Sequence, residues 1–157
     1  MEPRTLTSTV TIEADAQQVW RVLADEFIDV AAWGPGVNSS GPNPETPEGL
    51  NGSRYGGRVC EVEGVGPVHE RIVAYDDQAR TLSYTVAAKN RPDFVEKVQN
   101  TWTVNPDDTN RSTVDTRLEV TIADSMSESD ADTIVKTMFA GASGASTNLK
   151  TYIESSH

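Results

Sequence analysis

The sequence predicts an α+β fold, in which a curved antiparallel sheet of about six or seven strands wraps around one long C-terminal helix and two short helices follow the first strand. From Arg54 to Ala123, segments of alternating apolar and polar residues are separated by short turns, which is typical of antiparallel strands with one face on a core. After Ser125 the apolar residues recur at helical spacing instead. The chain has 157 residues, enough for one domain over residues 1–157 that buries a core without disulfides or metals.

A strand and two short helices are predicted at the N-terminus. Thr5–Glu13 alternates with period two, as in a half-buried strand rich in β-branched residues. Asp15 is placed to cap the first helix, and Gln18 completes a capping-box-like pair. A second short helix is predicted over Ile28–Trp33, and Gly34-Pro35-Gly36 ends it. The apolar stripe of the first helix comprises Ala16, Val19, Trp20, Leu23 and Phe27.

The middle of the chain is predicted to form most of the sheet. Val37–Ser53 is rich in turn residues and predicts a loop with at most a short edge strand at its start. Gly64–Pro67 and Asn90–Asp93 are predicted connections between strand ends. The alternating segments themselves predict these strands: Arg54–Glu63, Val68–Tyr75, Thr81–Ala88, Glu96–Asn105 and Ser112–Ala123.

The C-terminal segment predicts one helix of about 27 residues, about 40 Å long at 1.5 Å per residue. Ser125 with Glu128, or Ser127 with Asp130, is placed to form its capping box. Its middle, Gly141–Ser146, consists mostly of small residues, and each interior glycine destabilises a helix by about 1 kcal/mol relative to alanine. Either the helix approaches the sheet closely there, or the small side chains leave room for a ligand. The apolar stripe comprises Ala131, Ile134, Val135, Met138, Ala142, Ala145, Leu149, Tyr152 and Ile153.

Charge and composition exclude several classes of protein. Lys and Arg total 13 against 24 Asp and Glu, a formal net charge of −11, which disfavours binding to nucleic acids and to anionic membranes. No stretch approaches the ~20 apolar residues of a membrane helix, and no apolar leader opens the chain, so we expect a cytoplasmic protein without membrane insertion. The lone cysteine, Cys60, and two histidines lack metal-ligand spacing. We therefore expect no disulfide, no metal and, without a nucleotide-binding motif, no cofactor.

Four segments together resemble a known superfamily. Thr9–Trp20 is similar to its first strand, small-residue turn and helix with an early aromatic residue, and Ala32–Val37 is similar to its Trp-x-Pro-x-Val corner. Gly57–Cys60 followed by His69–Asp76 is the third segment, and Thr81–Tyr84 is the fourth. Over nearly the whole chain, their order and spacing resemble the START/Bet v 1-like (SRPBCC) helix-grip superfamily, and within it the polyketide cyclase/dehydrase-type proteins. The last two segments look most like the branch that includes lachrymatory factor synthase.

The resemblance implies a long cavity between the sheet and the C-terminal helix, where members carry or transform small apolar molecules. Some members are cyclases, dehydratases or other lyases, others only bind, and a related group consists of protein-interaction modules. In the lachrymatory-factor-synthase-like branch an inward arginine and glutamate on neighbouring strands are the active polar pair, and Arg58 and Glu70 match them by position. Gly64–Pro67 and Asn90–Asp93 are implied to flank the cavity mouth. A monomer or a weak homodimer is also implied.

The residues themselves make Glu70 and Arg58 candidates for catalysis. Val68, Ile72 and Ala74 share a strand face with Glu70 and are apolar, so the carboxylate is expected to face the core, where it must be paired or protonated. Arg58, one strand earlier, is a suitable partner. Three interpretations stay open: a functional pair in which Glu70 moves a proton and Arg58 stabilises an oxyanion, a structural ion pair, or a bulge that turns Glu70 outward.

Other residues are candidates for lining the ligand cavity beside Arg58 and Glu70. Tyr84, which is also a candidate catalytic residue, and Asn100 are polar groups on apolar strand faces. A buried hydroxyl or amide needs a hydrogen-bond partner, which a ligand, a water molecule or another protein group would supply. The remaining candidates are apolar or small and suit plain core packing equally well: Trp33, Trp102, Met138, Phe139 and Ala142.

Three functions are consistent with this sequence. The leading hypothesis is binding of a small hydrophobic ligand that is polyketide-, lipid- or flavonoid-like. The second adds cofactor-independent cyclisation, dehydration or isomerisation, with Glu70 as general acid or base and Arg58 as oxyanion stabiliser. The third is a protein-interaction module with a filled core.

Overall fold

The computed structural model of the protein describes residues 3–156, apart from the side chains of residues 141–143 and 156. Within this range the chain forms seven strands, two α-helices and one 3₁₀ helix. Their bounds, in chain order, are β1 (Arg4–Ile12), α1 (Ala16–Ala24), the 3₁₀ helix (Phe27–Ala32), β2 (Val37–Pro42), β3 (Gly57–Val62), β4 (Gly66–Asp76), β5 (Thr81–Ala88), β6 (Val95–Asp108), β7 (Arg111–Ile122) and α2 (Glu128–Ser156).

The seven strands form one sheet with the order β1-β7-β6-β5-β4-β3-β2, and every neighbouring pair is antiparallel. The strands from β2 to β7 therefore follow one another as a meander, and β1 joins the sheet beside the last of them. The α+β fold, the two short helices after β1 and the long C-terminal helix are confirmed. None of the helices within residues 3–156 combines the length and apolar character needed to cross a bilayer.

The helix starts follow the capping residues of the sequence. The Asp15 side chain accepts a hydrogen bond of 2.9 Å from the backbone N–H of Gln18, which fixes the start of α1. For α2 the second of the two predicted caps is the one formed, since the Ser127 hydroxyl accepts from the backbone N–H of Asp130 at 3.1 Å. Helix α1 ends before Phe27, which was predicted to belong to its stripe but instead begins the 3₁₀ helix.

Strand alternation predicts the inward faces of β1, β5, β6 and β7 correctly. On β4 the prediction for Ala74 is wrong, because that residue is exposed. A β-bulge interrupts the register, so that Ile72 pairs with Tyr84 but Ala74 pairs with Ser83. Beyond the bulge it is Tyr75 that packs against the core. Strand β3 is also shorter than predicted, since it begins at Gly57.

The core consists of two clusters that adjoin along the sheet. The first lies under α1, the 3₁₀ helix and the C-terminal part of α2, and its largest fully buried side chains include Trp20, Phe27, Ile12, Leu82, Leu149 and Ile153. The second lies between β6, β7 and the N-terminal part of α2, and comprises Val95, Val98, Leu118, Val120, Ile122, Ala131 and Val135. Val86 on β5 packs against both clusters, which marks where they meet.

Candidate ligand-binding site

A small, partly enclosed space, here called the inner cavity, lies between α2 and the middle of the sheet. Strand register aligns its walls, because Tyr84 pairs with Asn100 and Asn100 with Leu118 across β5, β6 and β7. Its volume is about 60 Å³, which is room for a water molecule or a small chemical group. The residues around it are Tyr84, Asn100, Trp102, Thr116, Leu118, Phe139 and Ala145.

A larger space, here called the outer groove, opens at one end of the sheet. Its volume is about 330 Å³. It lies between the β3–β4 turn and the β5–β6 loop, the two connections that the resemblance implies at a cavity mouth. The Asn90 side-chain amide donates to the Val65 carbonyl at 3.0 Å and so joins these connections. The groove is bordered by Gly64, Val65, Val86, Ala88, Asn90, Arg91, Pro92, Val98 and Met138.

The outer groove and the inner cavity adjoin. On β5, Val86 borders the groove and Tyr84, two residues earlier, borders the cavity. Val98 and Asn100 stand in the same relation on β6. Residues two apart on a strand share a face and lie roughly 7 Å apart, so the two spaces follow one another along the same pair of strands. On α2 the two spaces are bordered by consecutive residues, Met138 and Phe139.

Arg58 and Glu70 form a buried ion pair beside this site. They are directly opposed in the β3–β4 register, and Arg58 Nε donates to Glu70 Oε1 at 2.5 Å. Their side chains are 7% and 12% exposed, so the outward-facing alternative for Glu70 is wrong. Arg58 Nη1 also donates to the Phe27 carbonyl at 2.8 Å. The guanidinium lies 4.0 Å from the centroid of the Phe27 ring and 5.0 Å from that of Tyr84, so both rings stabilise its charge.

Burial and the ion pair together set the protonation states near Arg58. Burial, the largest single effect, lowers the pKa of Arg58, but the Glu70 carboxylate together with Tyr84 and Cys60 outweighs it, and the pKa stays above its ordinary value. Burial, aided by the negative charge of Glu70, raises the pKa of Tyr84 to about 12 and that of Cys60 to about 11. At neutral pH, Tyr84 is therefore a hydrogen-bond donor and Cys60 an uncharged thiol, which is a poor nucleophile.

Aromatic contacts connect the ion pair to the inner cavity. Trp102 donates from its indole N–H to the Tyr84 hydroxyl at 3.1 Å. Trp33 packs edge-on against Trp102 with a centroid distance of 6.0 Å, and Phe27 packs edge-on against Tyr84 at 5.6 Å. All four of these aromatic side chains are buried, and the inner cavity beside them, at about 60 Å³, is smaller than the long cavity implied by the resemblance.

The match of the sequence to a protein family agrees with this architecture. The family model described as polyketide cyclase/dehydrase and lipid transport matches residues 3–154. The chain belongs to this family. Its resemblance to the START/Bet v 1-like (SRPBCC) superfamily is likewise confirmed, and the protein has a polyketide cyclase/dehydrase-like, hydrophobic-ligand-binding fold. No curated protein matches the chain significantly.

Solved structures at low sequence identity share the fold of this polyketide cyclase/dehydrase family member. The ZhuI aromatase/cyclase from Streptomyces sp. R1128 is 16% identical with a TM-score of 0.73, over 97% of this chain and 94% of that one. A START superfamily protein from Mycobacterium smegmatis is 13% identical with a TM-score of 0.70, over 98% and 99%. Truncated norcoclaurine synthase from Thalictrum flavum is 13% identical with a TM-score of 0.67, over 96% and 93%.

Within this family member, the sequence-predicted site residues fall into two groups. Arg58, Glu70 and Trp33 do not border the inner cavity or the outer groove, although contacts with Tyr84 and Trp102 link them to the first of these spaces. The candidates that do border the two spaces are Tyr84, Asn100, Trp102, Met138 and Phe139. The side chain of the remaining candidate, Ala142, lies outside the described residues.

Some residues of the site were not predicted. The sequence predicts Phe27 only as part of the apolar stripe of the first helix, whereas in the structure its ring and its carbonyl group both contact the guanidinium of Arg58. Val65 and Arg91 border the outer groove within the two connections that the resemblance implies at a cavity mouth, but neither residue was singled out as a ligand contact. At Gly144 an added Cβ would meet nothing within 4 Å, so a close approach to the sheet does not explain this glycine.

Among the described residues, no group of three or more His, Cys, Asp and Glu is placed to hold a metal ion.

Proposed function

We propose that the protein binds one small, mostly apolar molecule, polyketide-, lipid- or flavonoid-like, between its sheet and α2. The observation that carries this proposal is the position of the outer groove next to the inner cavity along β5 and β6, where Val86 and Val98 border the groove and Tyr84 and Asn100 border the cavity. The groove alone has about 330 Å³, at the lower end of the ~300–1,000 Å³ range of ligand sites. Membership of a family described by polyketide chemistry and lipid transport supports the same class of ligand.

In this proposal the ligand body lies in the outer groove and one end enters the inner cavity. Val86, Val98 and Met138 provide apolar contact area, and burial of ligand surface against them is favourable by roughly 25 cal/mol per Å². Met138 is suited to this position because its flexible thioether side chain adapts to different shapes. Phe139 and Trp102 contact the inner end of the ligand, and the Trp33 ring packs edge-on against Trp102.

Binding is favoured over lyase chemistry by the position of the ion pair. A general base must come within hydrogen-bond reach of the proton that it removes. The Glu70 carboxylate is bonded to Arg58, and Phe27 and Tyr84 lie over the guanidinium. Neither Arg58 nor Glu70 borders the inner cavity or the outer groove. The cyclase or dehydratase mechanism through this pair therefore stays a prediction. The oligomeric state also stays a prediction. An interaction module is not proposed, because that hypothesis requires a filled core.

The test uses a pair of neighbouring alanines on β5. Ala88 borders the outer groove, whereas Ala87 is exposed and borders a groove on the opposite face of the sheet. Ala88→Trp is expected to fill the groove and to weaken binding of a hydrophobic fluorophore by about tenfold or more, since it removes most of the apolar contact area. Ala87→Trp is expected to leave the affinity within about twofold. Fluorescence titration measures both, and native mass spectrometry of the purified protein detects a retained ligand.

Two results would contradict the proposal. One is the absence of both a retained ligand and fluorophore binding in the unmodified protein. The other is equal loss of affinity in Ala88→Trp and Ala87→Trp, which would indicate a general effect of a surface tryptophan. Thermal denaturation of both variants serves as the control for folding.

A further inference from the structure

The hydroxyl group of Tyr84 has one hydrogen-bond function left to fill. Its oxygen accepts from the indole N–H of Trp102 at 3.1 Å, and an indole N–H is a donor only. The phenolic proton of Tyr84 must therefore be donated to a different group. Among residues 3–156, as far as their side chains are described, no acceptor of this proton is found. Tyr84 borders the inner cavity, so an acceptor placed there is within its reach.

Asn100 supplies a second donor at the same place. It is the direct cross-strand partner of Tyr84 in the β5–β6 register, and side chains opposed in this way have Cβ atoms about 5 Å apart. Asn100 is half-buried and borders the inner cavity. Its side-chain amide makes no hydrogen bond with the described part of the chain. The Tyr84 hydroxyl and the Asn100 side-chain amide are therefore two donors without an acceptor in the described part of the chain, and both residues border the same space of about 60 Å³.

The surroundings of the inner cavity disfavour a charged group inside it. Its remaining walls are apolar except for Thr116, whose hydroxyl is engaged with that of Ser8 at 2.5 Å. No Lys or Arg borders the inner cavity among the described residues, and Arg58, whose guanidinium lies 5.0 Å from the centroid of the Tyr84 ring, is already paired with Glu70. An ionised group in the cavity would lose its hydration without gaining a counter-ion, which is strongly unfavourable.

We propose that the ligand of this site is uncharged and carries a carbonyl oxygen at its inner end, which accepts hydrogen bonds from Tyr84 and Asn100 while the apolar remainder extends into the outer groove. A carbonyl oxygen has two lone pairs and so uses both donors at once. The raised pKa of Tyr84, about 12, keeps its proton in place at neutral pH. This inference rests on the proposed function, because it specifies the chemistry of a ligand bound at the same site.

The experiment compares three probes of nearly equal size: methyl naphthyl ketone, its alkene isostere isopropenylnaphthalene, and naphthoate. The unmodified protein is expected to bind the ketone about five- to tenfold more tightly than the alkene, the range of one or two net hydrogen bonds. Naphthoate is expected to bind at least about tenfold more weakly than the ketone. Calorimetric titration gives the affinities, and infrared spectroscopy is expected to show the ketone carbonyl stretch at lower frequency in the complex.

Variants assign the effect to the two donors. Tyr84→Phe and Asn100→Leu are each expected to reduce the preference for the ketone to about twofold or less, while the alkene affinity stays within about twofold. Tyr84→Phe also reverses most of the infrared shift. Tyr55→Phe is the matched control, because Tyr55 lies under Arg54, 5.7 Å from its guanidinium, and does not border the cavity.

The possible results separate this inference from the proposed function. Equal affinity for ketone and alkene, or tighter binding of naphthoate than of the ketone, overturns the inference and leaves ligand binding intact. A ketone preference that survives in both Tyr84→Phe and Asn100→Leu overturns it as well. If none of the three probes binds, the proposed function fails together with the inference.

Discussion

At the scale of single residues, the Arg58–Glu70 pair shows how a buried charge is stabilised. Arg58 has a carboxylate partner at Nε, a backbone carbonyl partner at Nη1 and the Phe27 ring 4.0 Å from its guanidinium. Each contact replaces part of the hydration that burial removes. A buried pair of this kind is weakly stabilising when complete, but the removal of one partner leaves an uncompensated charge.

Removal of one partner is therefore expected to be strongly destabilising. Glu70→Gln and Arg58→Met should each lower the free energy of unfolding by about 3–5 kcal/mol. The double variant Arg58→Met/Glu70→Leu should lose less than the sum of the two, because no buried charge remains. Urea denaturation measures all three. Arg71→Gln is the control, because Arg71 is exposed on β4, next to Glu70. It should change the free energy of unfolding by less than about 0.5 kcal/mol.

Additive losses in the double variant would contradict this interpretation of the pair.

The Glu70→Gln variant also tests the lyase alternative, when turnover of a substrate is measured. A loss of turnover by about a hundredfold or more, with ligand affinity retained, would support general acid–base catalysis. Unchanged turnover would remove Glu70 from the mechanism.

At the scale of secondary structure elements, α2 is attached to β1 at both ends. Near the start of each element, Arg4 pairs with Glu128 at 2.8 Å and with Asp132. Near their ends, Lys150 donates to the Thr11 carbonyl at 2.8 Å and to Glu154 at 2.6 Å. β1 is an edge strand of the sheet, so these contacts hold the long helix along that edge.

The contacts of Glu154 predict a pH dependence. The hydrogen bond from Lys150, and after it the one from the backbone N–H of Glu13, lower the pKa of Glu154. Because the folded state then binds the proton less tightly than the unfolded state, the stabilisation is present above the unfolded pKa of about 4.3 and disappears as the pH falls through the lower, folded value. Glu154→Gln is expected to lower the melting temperature at neutral pH, and the difference should vanish in acid.

The measurement is thermal denaturation at a series of pH values between neutral and strongly acidic. Glu61→Gln is the matched control, since Glu61 is an exposed carboxylate on β3 without an ion pair in the described part of the chain. It should show little difference from the unmodified protein at any of these values. A difference for Glu154→Gln that persists unchanged in acid would show that its carboxylate charge is not responsible.

The sequence predicts elements and faces well, because these depend on local rules. Strand period two places Arg58 and Glu70 on the inner face, and side-chain caps mark the starts of both α-helices. The bulge before Ala74 was not predicted, and it is accompanied by a contact between Tyr75 and Trp20, whose ring centroids are 5.5 Å apart. Such a contact joins elements that no local rule relates.

The candidate site is less predictable than the fold for the same reason. Phe27 is 31 positions from Arg58, and its place over the guanidinium depends on how the 3₁₀ helix packs on the sheet. The size of the inner cavity depends on the summed volumes of side chains from distant elements, such as Trp33 and Trp102. The resemblance implied a long cavity there, but it carried no information on how far these side chains fill it.

At the scale of the whole molecule, acidic groups outnumber basic groups. With 13 Lys and Arg against 24 Asp and Glu, many carboxylates have no cation to pair with. Their mutual repulsion favours expansion of the chain and opposes folding. The surface ion pairs, such as Arg111 with Asp107 at 2.7 Å, act in the opposite direction but contribute at most about 1 kcal/mol each.

The acidic surplus predicts that salt stabilises the protein at neutral pH. An increase in NaCl from about 0.1 M to 1 M shortens the Debye length from about 10 Å to 3 Å and screens the repulsion between carboxylates. The melting temperature should rise by about 2–5 °C, equivalent to roughly 1 kcal/mol. The same protein at a pH of about 4.3 is the control, because much of its acidic charge is then neutralised, and the rise should fall by half or more. An equal salt response at both pH values would attribute the effect to general salting-out. If the added salt lowers the melting temperature at neutral pH, the ion pairs outweigh the repulsion.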